Sequence, residues 1–222
     1  MVIIGIISRP NISKQGRCNT MVLEDMRKAV IEFGAVPISI LPPQNIDYFD
    51  KKLNEIPPLT DKDKQILEEQ IKLCNGVIMP GGTVMHEYDK YVCEYCNRNN
   101  IPLFGICMGM QIMCNYNNDN KNIKIEDGID RSEIINHNLT IDKDSILYNI
   151  IGKEEIEVNS FHRYKVSNSG SYKVSARNND VIEAVEKEGK FNIGLQWHPE
   201  RDIEDENSKK LFKKFINSCE NN

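Results

Sequence analysis

The sequence predicts an α/β protein built on an open, mostly parallel sheet with helices on both faces, extended by a flanking antiparallel section. Three observations predict it. Short apolar runs alternate with stretches of helical period as far as residue 113, the pattern of strands and crossover helices. The first run, residues 2–8, is apolar almost without interruption, which suits a central parallel strand covered on both sides. Beyond residue 115 the chain breaks into short extended pieces separated by turn residues, which read as antiparallel strands and hairpins.

After the first strand, a polar loop containing Pro10 leads to a helix that Asn19 or Thr20 caps. Its apolar face is Val22, Met26, Ala29, Val30 and Phe33, and Gly34 closes it. Residues 36–41 form the next strand, stopped by Pro42-Pro43, and residues 44–60 an irregular loop. Thr60 followed by Asp63 marks another helix start, with Ile66, Leu67, Ile71 and Cys74 inward. Residues 76–79 are a third strand, ending at Pro80-Gly81-Gly82, and residues 86–97 carry Tyr88, Tyr91, Val92, Tyr95 and Cys96 at helical spacing. Residues 102–106 read as a buried strand that turns abruptly into a helix. A polar loop at 115–122 follows, then strands at 134–141, 156–160, 172–176, 181–185 and 191–196, with turns at 178–180 and 188–190. Residues 208–219 form an amphipathic helix with Leu211, Phe212, Phe215, Ile216 and Cys219 inward. No repeat, low-complexity tract or linker breaks the chain, so residues 1–222 read as one domain.

Composition narrows the class. A chain of 222 residues buries a sizeable core, and a net charge of −5 leaves no basic excess to neutralise a nucleic acid or an anionic membrane. No apolar run approaches the roughly 18 residues of a membrane span. Seven scattered cysteines, an odd number, suit free thiols in a reducing cytosol. The opening residues lack a basic start and read as the first strand rather than a signal peptide, so a cytoplasmic location is expected.

The chemistry concentrates at GICMGMQ, residues 105–111. A strand, a tight turn with Cys107 at its apex and a helix would push the sulfur out of the sheet and up to solvent. The turn would also set it at a helix N-terminus, where free N–H groups favour a thiolate. Alone, this pattern is equally a buried structural cysteine. Downstream, His198 and Glu200 in QWHPE stand two apart, so in an extended segment both lie on one face and the carboxylate reaches the ring. Nucleophile, base and orienting acid are thus present in the order Cys, His, Glu.

Together GICMGMQ, QWHPE and Pro80-Gly81-Gly82 resemble the class I glutamine amidotransferase-like superfamily. The branch they are most similar to is the stand-alone gamma-glutamyl hydrolases, peptidase family C26, of the gamma-glutamyl-gamma-aminobutyrate hydrolase type. VNSFHRYKV at 158–166 and IIGIISRP at 3–10 match that branch in style, so the likeness covers nearly the whole chain. The resemblance implies a flavodoxin-like three-layer sandwich and hydrolysis of a small gamma-glutamyl amide through a thioester on Cys107, with no metal or organic cofactor. Chemistry and resemblance together assign the oxyanion hole to the N–H groups of Gly82 and Met108. Gln111, one turn after Cys107, either faces the substrate or solvates its helix. The resemblance implies that His162 lines the pocket, whereas its sequence context is that of an ordinary loop histidine.

Departures from the branch concern the pocket. Met108 stands where an arginine is common, the glycine pair after the elbow is replaced by residues 115–122, and a histidine pair is reduced to His162-Arg163. Residues 83–86 are also short, so the amine that leaves is not named. Other motifs carry blander readings: Cys93-Glu-Tyr-Cys96 sits mid-helix without further ligands, His137 lies in an alternating strand, and His86 lines the cleft or marks a helix start. The alternatives in function are a glutaminase subunit feeding ammonia to a separate synthetase, and a sensor in which Cys107 is a redox-responsive thiol. A synthetase partner belongs only to the first of these, and a homodimer is left open.

Overall fold

The computed structural model describes residues 1–49, 55–116, 125–127 and 135–220. Strand β1 (Ile3–Ile7) leads through a hairpin, β2 (Arg9–Ile12) and β3 (Cys18–Met21), into α1 (Glu24–Glu32) and β4 (Val36–Ile40). The alternation continues with α2 (Asp61–Lys72), β5 (Gly76–Met79), α3 (Glu87–Arg98), β6 (Leu103–Ile106) and α4 (Met108–Asn115). Then come β7 (Ile125–Asp127), β8 (Ile135–Ile141), α5 (Ile146–Ile151), β9 (Glu155–Ser160), β10 (Tyr164–Val166), β11 (Lys173–Asn178), β12 (Val181–Glu186), β13 (Asn192–Leu195) and α6 (Glu206–Cys219).

Nine strands form one sheet in the order β4-β1-β5-β6-β13-β12-β11-β8-β9. The first five run parallel, and from β13 outward every pairing is antiparallel. The antiparallel section is therefore a continuation of the parallel sheet, with β13 as the strand that belongs to both halves. Helices cover both faces, as the uninterrupted apolar strands require. On one face Met26 and Val30 of α1 and Leu211, Phe212 and Phe215 of α6 pack on Ile4, Ile6, Ile78 and Phe104. On the other, Leu67, Ile71, Val92, Met110 and Met113 from α2, α3 and α4 pack on Ile7, Ile40, Val77 and Leu103.

Several local expectations are corrected. Asn19 and Thr20 lie in β3, paired with Asn11 and Pro10, and the Asn11 side chain donates to that of Asn19 at 3.1 Å. Their polar groups serve a hairpin, so α1 starts after Leu23 without a side-chain cap and relies on Glu24 and Asp25 in its first turn. Ile66 is 38% exposed, although Leu67 and Ile71 beside it are buried. Helix α5 was not expected. Ser145 caps it by accepting from the Tyr148 N–H, and Glu186, forty residues away, accepts from Ile146 and Leu147 at 2.8 and 3.0 Å. Cys93 and Cys96 are buried in α3, and burial pushes both thiols well up, as befits packing groups. His137 lies in β8 with its ring 3.2 Å from the buried Glu183 carboxylate. Most of the expected loop at 115–122 falls outside the described residues.

Candidate active site

The strand-to-helix elbow forms as expected. Cys107 is held at φ 54° and ψ −109°, a backbone region that non-glycine residues adopt at a cost. Its N–H donates to Leu195 O of the neighbouring strand at 2.7 Å, and its carbonyl accepts the first helical bond, from Gln111, at 3.2 Å. The tightness explains the glycine at 109: a Cβ there would stand 2.0 Å from the carbonyl oxygen of Met79. The turn thus seats α4 against the end of β5 and presents Cys107 at the carboxyl edge of the sheet. Cys107 is not held up to solvent as expected but is buried at 8% exposure, because the chain after β9 passes over it with the Phe161 carbonyl 4.0 Å from Sγ.

His198 reaches the same edge from β13, which pairs with β6 so that Leu195 stands beside Ile106. Trp197, just before it, is buried in the core. The ring's Nδ1–H donates to Glu200 Oε1 at 2.7 Å, and both side chains are almost fully buried. This bond orients the ring and leaves Nε2 without a hydrogen-bond partner among the described residues. Residues 199–201 form a 3-10 turn rather than the extended segment expected, because Pro199 sets the backbone there; the carboxylate reaches the ring from within that turn. Burial alone would push the imidazole down, but the Glu200 carboxylate and the nearby Cys107 sulfur lift it to about 10. The ring is therefore held toward its charged form beside the sulfur.

A residue that sequence reasoning left unassigned fixes this histidine. Asn159, at the end of β9, accepts from the His198 N–H and donates to the His198 carbonyl, both at 2.9 Å. Although β9 is the outer strand of the antiparallel half, the chain beyond it crosses back over the elbow. The signal was available, since Asn159 is the second residue of the VNSFHRYKV segment, two before Phe161.

Gly81 lies against the reacting groups: a Cβ on it would stand 3.3 Å from His198 Cε1 and 3.9 Å from Cys107 Sγ. Gly82, the residue expected at the oxyanion hole, comes next, with the position of its absent Cβ 2.7 Å from Met108 Cε. Met108 opens α4, where helix amides lack an intrahelical acceptor. Gln111 and His162, the residues expected at the substrate, both engage one backbone carbonyl. Gln111 is buried, and its amide donates to Tyr164 O and to Gln196 Oε1, both at 3.1 Å. His162 Nδ1 lies 3.0 Å from that same Tyr164 carbonyl, which can only accept, so this nitrogen carries the proton. Both side chains thus hold residues 161–164 over the sulfur. His86 precedes α3 with its N–H on Asp89, stacked against Tyr88.

A thiol on a strained elbow of an open α/β sheet, beside a carboxylate-bound imidazole, is the arrangement of a cysteine hydrolase of the glutamine amidotransferase type. Residues 84–200 match the Peptidase C26 family, and the chain belongs to that family, whose members are amide hydrolases. It is 27% identical over 221 residues to a Schizosaccharomyces pombe protein assigned by name to the glutamine amidotransferases, covering 86% of this chain and 79% of that one. It is 25% identical over 209 residues to the CTP synthase of Blochmanniella floridana, covering 72% of this chain but 38% of the synthase. The glutaminase domain of Trypanosoma brucei CTPS, solved with bound acivicin, shares the fold at a TM-score of 0.65 and 18% identity, with 99% of this chain and 94% of that one covered. Among the described residues no helix is long and apolar enough to cross a membrane.

Proposed function

We propose that the protein is a cysteine-dependent hydrolase that cleaves the gamma-glutamyl amide bond of a small compound, releasing glutamate and an amine. One observation carries this reading. The Cys107 thiol and the His198 ring stand at the carboxyl ends of two hydrogen-bonded strands, with Glu200 2.7 Å from the far ring nitrogen. A structural cysteine needs neither the strained elbow nor a buried ion-paired histidine next to it.

In this scheme the Cys107 thiolate attacks the gamma carbonyl carbon of the glutamyl group, and the carbonyl oxygen becomes an oxyanion received by the amides of Met108 and Gly82. The His198 imidazolium gives its proton to the amide nitrogen, the C–N bond breaks, and a thioester remains with the free amine released. Water then attacks the thioester and His198 accepts its proton. The C–S bond breaks, returning the thiolate and freeing glutamate. Electrophilic help comes from backbone amides, so no metal or organic cofactor enters the scheme. Gln111 and His162 act here by holding residues 161–164, the wall of the crevice, rather than by touching the reacting carbonyl. The described cysteines are all free, six of the seven buried, which supports a reducing, cytoplasmic setting.

Incubation with a panel of gamma-glutamyl amides, followed by mass spectrometry of the acid-quenched chain, should reveal a glutamyl adduct on Cys107. Cys107→Ala and Cys107→Ser should abolish both adduct and glutamate release, and full activity in either variant defeats the reading. A second reading is favoured by the partial span of the CTP synthase relatives: a glutaminase subunit that supplies ammonia to a separate synthetase. Vigorous hydrolysis by the isolated chain supports the hydrolase, and ammonia release only with a co-purifying synthetase supports the subunit.

A further inference from the structure

The loop between β5 and α3 carries two successive glycines, the least restrained pair a chain can contain. Their amides can meet an oxyanion reproducibly only if something holds the loop still. At the carboxyl end of β1, the strand that neighbours β5, stands Arg9. Its Nη2 donates to the Pro80 carbonyl at 2.9 Å, and its Nη1 pairs with the Asp89 carboxylate. The second Asp89 oxygen accepts the N–H of His86 at 2.9 Å. One ion pair therefore ties both ends of the loop, Pro80 at its start and His86 at its finish.

This pair is unlike a solvated surface bridge. The Asp89 side chain has no exposure and that of Arg9 12%. The guanidinium also lies against the glycines, since a Cβ on Gly82 would stand 3.3 Å from Arg9 Nε. The position is the place where the strand order reverses, with β4 on one side of β1 and β5 on the other, where open α/β sheets receive their ligands. An arginine suits the task because its rigid planar fork holds two acceptors at a fixed angle, whereas a lysine is a single point charge.

We propose that Arg9 is a positioning residue for the oxyanion donors: with Asp89 it clasps the loop bearing Gly81 and Gly82 and so fixes the amide that meets the tetrahedral intermediate at Cys107. The proposal rests on the reading of Cys107 as the nucleophile. Arg9→Lys keeps a cation beside Asp89 and loses the fork; Asp89→Asn keeps the shape and loses the charge.

Both variants are tested in the full chain with two probes. Iodoacetamide alkylates Cys107 by displacement at a saturated carbon, a step that builds no oxyanion, so its rate reports the thiolate and His198. Para-nitrophenyl acetate acylates the same sulfur through a tetrahedral oxyanion whichever amide the enzyme prefers, with Cys107→Ala supplying the background. Acylation should fall about tenfold or more, toward the hundredfold scale of a misplaced catalytic group, while alkylation and its pH profile stay at the wild-type level. Unchanged acylation overturns the proposal. So does a parallel fall in both rates, which would make Arg9 a support of the whole crevice. Wild-type hydrolysis of gamma-glutamyl-para-nitroanilide is followed separately. A chain acylated by the ester but inert to that anilide and to the whole panel of gamma-glutamyl amides refutes the substrate class, while the ester still tests Arg9.

Discussion

Replacing Glu200 by Gln removes the charge behind the imidazole while keeping the shape of the side chain. In the native crevice burial opposes a charged His198, and Cys107 and Glu200 overcome it, lifting the ring from an ordinary 6.5 to about 10. A histidine pKa raised by folding makes the protonated ring part of the folded state's stability. That contribution is whole below about pH 6.5, where folded and unfolded rings are both charged, and is lost as pH rises through about 10. At about 1.4 kcal/mol per tenfold change in proton affinity, the contribution is on the order of a few kcal/mol. With Glu200 among the groups that raise the ring, Glu200→Gln should retain only part of that contribution. Urea denaturation from about pH 6.5 to about pH 9.5 measures this directly. The wild-type unfolding free energy should decline across that window and the variant's by less, so that curves well apart at the acid end converge at the alkaline end. A wild-type curve that stays flat would falsify the claim that the folded state holds an imidazolium.

Other perturbations separate the parts of the site. Asn159→Ala removes two hydrogen bonds to the His198 backbone, each worth about 1 kcal/mol; kcat should fall between about tenfold and a hundredfold with KM little changed, and a kcat at the wild-type level would show that β13 alone positions the ring. Gly81→Ala places a Cβ 3.3 Å from His198 Cε1 and 3.5 Å from Cys107 Cβ, so steady-state kinetics should register a larger loss than thermal melting; the opposite ranking would place Gly81 outside the reacting centre. Gly109→Ala drives a Cβ to 2.0 Å from the Met79 carbonyl, which is backbone and cannot turn aside, and should destabilise the fold by about 1–3 kcal/mol or more. At about 2–4 °C per kcal/mol for a chain of this size, a melting temperature within a degree of wild type would rule that out.

The parallel half of the fold was legible because its signals are local and periodic. Uninterrupted apolar runs, a capped α2 and the glycine-flanked elbow each state their structure within a dozen residues. The pairing of His198 with Glu200 was legible for the same reason, although the turn that achieves it is not the extended segment the spacing suggested. What escaped notice depends on polar contacts across long stretches of chain. Arg9 meets Pro80 and Asp89, Asn159 meets His198, and Glu186 caps α5, and none of these pairs leaves a period in the sequence. The β2–β3 hairpin was missed because its strands, RPNI and CNTM, are mostly polar and show no alternation. Gln111 and His162 were assigned by their nearness to the nucleophile in sequence or in motif; the carbonyl of Tyr164, which engages both, could not have been anticipated from spacing.

Cys107 and His198 ride on adjoining strands, and the Cys107 amide is itself a rung of the ladder between them. The alignment of sulfur and ring is therefore built into the frame of the molecule rather than into anything draped over it. Loops around the rim can lengthen, shorten or change their chemistry while the thiol and the ring stay in register. A scaffold of this kind permits new specificities without having to rediscover how to break the bond.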